Sequence, residues 1–152
     1  MTSTVATFAA VFAALYAAHQ VGDHWVQSHQ QACSKGAPGR AGRAACIGHV
    51  ITLTGTKMLA LAALMTVTHL RLDPVALTVA LTVDAVSHYW ADRRVTLARL
   101  ADAVGKGDFY RLGAPRPGTG DAPHLGTGAY ALDQSWHVAW LFVAALIIAG
   151  GA

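Results

Sequence analysis

The sequence predicts an all-α protein: an integral membrane four-helix bundle with an interfacial helix and a long loop between its third and fourth spans. Of 152 residues, 54% are hydrophobic and only 12% charged, about half the charge of an ordinary soluble domain. Four weakly charged stretches, 4–27, 44–69, 74–92 and 129–149, approach or exceed the roughly 20 residues with which a helix crosses a hydrocarbon core. A soluble bundle would need a charged outer face on every helix, yet Val5 to Ala18 and Trp140 to Ala152 carry no charge. The length suits one domain.

The first span has no Lys or Arg ahead of Lys35, so the positive leader region of a cleaved signal is missing and the helix is expected to be retained. A polar connection, 28–43, leads to the second span, and the short turn His69 to Asp73 leads to the third. Pro74 suits a helix start there. In the long connection 93–128, RRVTLARLADAV places Leu97, Leu100, Ala101 and Val104 on one face with Arg93, Arg94 and Arg99 off it. That pattern fits a helix lying on the headgroups, or a prolongation of the third span. Gly105 to Gly128 has the Gly and Pro density of a loop, and its GTG repeats lack the Lys-Ser/Thr ending of a phosphate loop. Gly150 and Gly151 stop the fourth span.

Charge sets the expected orientation. Lys35, Arg40, Arg43, Arg93, Arg94, Arg99, Lys106, Arg111 and Arg116 fall in the first and third connections, against Arg71 alone in the second connection and the termini. By the positive-inside rule those two connections face the cytoplasm of a bacterial-type inner membrane and both termini lie outside. The net charge of +3 comes with no basic groove interleaved with aromatics, so no nucleic-acid partner is expected. Cys33 and Cys46 lack any CxxC or HxxC zinc spacing and read as bystanders. The four tryptophans sit mainly near the cytoplasmic ends, as an aromatic belt would.

The polar residues of the spans carry the functional signal. His19, Asp23 and Gln27 recur every fourth residue on the first helix, Asp84, His88 and Asp92 do so on the third, Asp133 and His137 pair on the fourth, and the second contributes His49 and Lys57. At about 1.5 Å rise per residue, Asp23, His49, His88 and Asp133 share a depth of about 6–8 Å below the cytoplasmic face. His19, Asp84 and His137 fall about 12 Å deep and Lys57 about 20 Å. Any one pair is equally a polar clasp between helices. Four helices converging at one level, with carboxylates costly to insert, point instead to a metal or proton site. Asp92 is equally a partner for Arg93 or Arg94, and Lys57 for Asp84 or an anionic headgroup. His24, His29, His69 and His124 read as surface.

The order HxxxDxxxQ (His19, Asp23, Gln27), then His49, then HxxxD (His88, Asp92), then DQSWH (Asp133, Gln134, His137) resembles, over most of the chain, the small bacterial membrane proteins catalogued as domain of unknown function 3307. These are similar in layout to inner-membrane proteins labelled metal-dependent hydrolases. The resemblance implies a site at His19, Asp23, His49, His88, Asp92, Asp133 and His137, with Gln27 and Gln134 as polar supports. His24, where an aromatic is expected, and the extra Asp84 depart from the pattern.

The expectation is therefore a membrane-embedded metal-dependent hydrolase for a lipid-linked or membrane-proximal substrate. His19, Asp23, His49, His88, Asp133 and His137 would be the metal ligands and Asp84 and Asp92 the catalytic carboxylates. Imidazole with carboxylate favours Zn, with Mn or Fe as alternatives. The rival readings are a divalent-cation or proton-coupled transporter using the same ladder, and a non-catalytic membrane anchor or assembly protein whose polar core sets helix register. The bilayer is the expected partner, and a homo-oligomer is left open.

Overall fold

The structure is a computed structural model and describes residues 3–115, 118 and 126–151. It is all-α, with no strand among the described residues. Helix α1 (Thr4–Val21) starts where Ser3 accepts the Ala6 amide at 3.2 Å, and it runs directly into a π-helical turn, Gly22–Val26. Short α2 (His29–Ser34) begins with a reciprocal capping box between Ser28 and Gln31. Long α3 (Gly39–Thr68) ends at His69, whose φ of 56° turns the chain out of the helix. The Asp73 side chain accepts the Ala76 amide at 2.7 Å and, with Pro74, opens α4 (Pro74–Asp92). Then follow α5 (Val95–Ala103), α6 (Gly107–Arg111) and α7 (Gly128–Gly150), the last capped by Thr127.

The sequence-based spans match α1 with its π turn, α4 and α7 to within a residue or two at each end, and α3 begins five residues before the expected Ala44. The interfacial segment is α5; α2 and α6 were read as connection. Thr4–Val26, Gly39–Thr68 and Gly128–Gly150 are long and apolar enough to cross a membrane. Pro74–Asp92 is not among them: Asp84, His88 and Asp92 lower its hydropathy, so the helix richest in site residues is the least lipid-like.

Neighbour contacts run from α1 to α3, α3 to α4, α4 to α7 and α7 back to α1. Away from the polar levels the interior is apolar, with Val11, Leu15, Leu61, Leu141, Ala144 and Ile148 all essentially inaccessible. Outward faces expose Val5, Leu59, Val67, Val75 and Leu146 instead of charges, the reverse of a soluble helix. The interior is thus divided lengthwise, aliphatic at one end and ionisable at the other.

The start of α7 is fixed by backbone contact. The Gly128 amide donates to the Leu112 carbonyl at 2.8 Å, and a Cβ on Gly128 would collide with the Phe109 carbonyl oxygen. Gly128→Ala is expected to lower the thermal midpoint in detergent, by an overpacking cost of about 1–3 kcal/mol. Gly55→Ala, whose added methyl meets nothing within 4 Å, is expected to leave the midpoint unchanged or raise it, since alanine is the better helix former. Equal effects from the two would remove the close approach as the cause.

Candidate metal centre

Four long helices deliver the cluster. Asp23 comes from the π turn, His49 from α3, His88 and Asp92 from the last turns of α4, and Asp133 and His137 from the first turns of α7. A π turn holds one residue more than an α turn and is found disproportionately at functional sites. Here it lies between His19, still on the α-helical stripe, and Gln27, where the chain leaves the helix.

Four side-chain atoms face one another at the centre. His49 Nε2 stands 3.1 Å from Asp23 Oδ1, 3.4 Å from Asp92 Oδ2 and 3.1 Å from His88 Nε2. His88 Nε2 stands 3.6 Å from Asp23 Oδ1 and 3.2 Å from Asp92 Oδ2. Around a tetrahedral zinc with bonds of about 2.0–2.2 Å, neighbouring ligand atoms lie about 3.3–3.6 Å apart. Two of the five separations fall in that range and the other three, at 3.1–3.2 Å, lie just below it. His49 Nε2 and His88 Nε2 share a hydrogen bond, whereas Asp23 Oδ1 and Asp92 Oδ2 are buried with no hydrogen-bond partner. Buried carboxylate oxygens without donors are rare and call for a reason, and lone pairs converging on a cation supply one.

Two ligand sets emerge, Asp23 with His49 and His88, and His88 with Asp92 and His137. His88 belongs to both. Its ring stacks on that of His137 with centroids 3.8 Å apart and planes inclined by 15°, which fixes its direction by packing. Behind this layer, His19 Nε2 lies 3.6 Å from Asp23 Oδ2, and His137 Nε2 lies 3.4 Å from Asp133 Oδ1 and 3.9 Å from Asp92 Oδ1. Both nitrogens of His19 are buried without a hydrogen-bond partner. The shallow layer read from helical rise thus brings Asp23, His49 and His88 together, with Asp92 taking the central place expected of Asp133.

Other expected roles change. Asp84, expected as a catalytic carboxylate, is held by Lys57 at 2.5 Å, both side chains almost wholly buried. It belongs to an ion pair and to neither ligand set. Asp92, also expected as a catalytic carboxylate, lies in one of the two sets that could hold a metal. Asp133 keeps a quarter of its side chain open and lines a cavity of about 430 Å³. Gln134, nominally a support, reaches Asp23 Oδ2 and Asp133 Oδ2 at 3.4 Å each. Gln27 lines the cavity, with its buried Nε2 unpartnered.

Two participants escaped the sequence reading. Lys35, at the end of α2, forms a 2.8 Å ion pair with Asp92 Oδ1. It had counted only as a topogenic charge, although Ser28 and Gln31 signal the helix that carries it. His24 lines the cavity and contacts the Tyr130 hydroxyl at 3.1 Å. Tyr110, beside them, has its hydroxyl pKa raised by burial and then by Asp133, so it stays a neutral donor. His124 and Arg116 lie outside the described residues. Both cysteines are free, Cys33 exposed and Cys46 buried, and neither belongs to a ligand set.

A family model described as a protein of unknown function (DUF3307) matches residues 11–150, and the chain belongs to that family. No curated protein and no solved structure matches it.

Proposed function

We propose that this family member is an integral membrane four-helix bundle that holds a divalent transition metal, zinc foremost, and hydrolyses an ester bond in a membrane-held substrate. The convergence of Asp23, His49, His88 and Asp92 carries the reading, because their donor atoms sit close to ligand-to-ligand spacing and Asp23 Oδ1 and Asp92 Oδ2 are buried without a hydrogen-bond partner. Such a donor set suits Zn, Mn or Fe better than Ca or Mg. Nine of the eleven basic residues flank this end of the helices in sequence, which supports a cytoplasmic-side site in a bacterial-type inner membrane with both termini outside.

A bound metal would supply Lewis acidity and a water with its pKa lowered to about 7. The side chains do the rest. Lys35 offsets part of the charge on Asp92 while leaving Oδ2 directed at the histidines. Asp133, at the cavity wall and 3.4 Å from His137, takes the proton of the attacking water. Lys35 and Arg94 line the same cavity and attract a negatively charged ester.

The transporter reading needs a polar route across the membrane. Beyond the Lys57–Asp84 pair the interior is closed by Leu15, Leu61, Leu141 and Ile148, which weighs against it. Protein purified without chelators is expected to contain about one metal per chain, and Asp133→Asn to keep that metal while losing turnover by about a hundredfold or more. Metal far below one per chain would defeat the proposal.

A further inference from the structure

We infer that the substrate is a phosphorylated amphiphile, its phosphate monoester held in the polar cavity beside the cluster and its hydrocarbon tail in an apolar track that leaves that cavity along α7. The inference rests on the hydrolase reading and adds the substrate class.

The headgroup end sets two cations, Lys35 and Arg94, among the carboxylates Asp23, Asp92 and Asp133. Tyr110 and Tyr130 line the same cavity. Arg94 is one of two non-glycine residues with positive φ among those described, at 57°. Such backbone is strained and persists where the surroundings enforce it. The strain carries its side chain back over α2, where the guanidinium donates to the Ala32 carbonyl at 3.1 Å. Gly36 leaves room for that path, since a Cβ there would come 2.6 Å from Arg94 Cδ. A guanidinium has donors left for a phosphate oxygen, and a phosphate monoester is the ester whose leaving group can be a lipid alcohol while the other oxygens face cations and metal.

The tail end adjoins it. Leu97 lines the polar cavity and also a slot of about 270 Å³ between α5 and α7, walled by Leu100, Val104, Leu132, Trp136 and Ala139. Trp136 in turn lines a second apolar depression of about 430 Å³ with Val83, Val86, Trp90 and Trp140. The Trp136 indole is set by a 2.9 Å hydrogen bond to Ser87 Oγ and by stacking on Trp90 at 4.8 Å. Neighbouring compartments share one wall residue, Leu97 and then Trp136, so the three lie in order from the charged cavity to the outer apolar depression. Amphiphile polarity has the same order. In the reaction, water oxygen bonds to phosphorus as the bond from phosphorus to the lipid oxygen breaks. Asp133 takes one proton from the water and passes it on to the leaving oxygen, so the products are a lipid alcohol and inorganic phosphate.

The test uses metal-loaded full-length protein in phosphatidylcholine nanodiscs, with farnesyl phosphate, methyl phosphate, inorganic phosphate and farnesol as probes. Farnesyl phosphate is expected to bind about a hundredfold or more tightly than methyl phosphate, because each buried methylene contributes about fourfold. Ala139→Trp, filling the slot, is expected to cut that preference by about tenfold or more; if that variant fails to hold metal, Ser135→Phe on the same wall replaces it. Arg94→Ala is expected to weaken both organic phosphates by one factor. Farnesol binding as tightly as farnesyl phosphate, inorganic phosphate doing so, or a preference indifferent to the filled slot each overturns the inference while the hydrolase reading stands. Protein that takes up no metal overturns that reading and this inference with it.

Discussion

His88→Ala is expected to cost the protein its metal, with affinity falling by more than about a hundredfold. His88 belongs to both ligand sets, and its Nε2 lies within 3.6 Å of His49, Asp23 and Asp92. Loss of groups that merely orient a ligand costs about 10–100-fold in metal affinity, so loss of a shared ligand should exceed that range. Truncation also removes the ring stacked on His137 and leaves a gap beside two buried carboxylates, which couples metal loss to a lower thermal midpoint. Elemental analysis beside chelator competition reads the effect. His24→Ala, outside both sets, is expected to retain metal. Wild-type metal content in His88→Ala would show that the convergence is only polar packing.

Lys57→Met should be the most destabilising single change in the interior. Removing the ammonium leaves Asp84 buried and unpaired, and breaking such a pair from one side costs about 3–5 kcal/mol. The double variant Lys57→Met, Asp84→Leu should regain most of that loss, because no charge is then stranded. Reversible unfolding in mixed micelles measures all three. If the double variant is as unstable as the single one, volume and not charge sets the cost. The same double variant should keep both its metal and its turnover, separating Asp84 from the catalytic role in which the sequence had placed it.

Much of this was legible in the residues. Runs of Ala, Val and Leu with breaks at Gly and Pro locate the long helices, and rise per residue alone puts Asp23, His49 and His88 at one depth. Rise gives depth but not direction around the helix axis. Asp133 shares the level yet faces the cavity, whereas Asp92, placed by depth at the water boundary, is turned inward and is 1% exposed. The π turn adds a residue where straight α geometry was assumed, so His24 could not be assigned a face. Lys35 needs tertiary packing: a six-residue helix has no span of its own, and nothing in its sequence says that it docks against the end of α4. Asp84 had two readings open, and the choice fell to the partner five turns into α3.

The Lys57–Asp84 pair also bears on how the chain is made. Synthesis delivers α3 first, with an ammonium near its middle that costs about 2.5–3.5 kcal/mol to place at the centre of a bilayer. Its counter-charge arrives on α4, across a connection of only five residues, 69–73. Of the two, α3 is apolar enough to cross a membrane but carries the cation, whereas α4 falls short of that hydropathy. A translocon that accepts them together as a helical hairpin never exposes either charge alone to lipid, and the brevity of that turn makes joint entry the path of least cost.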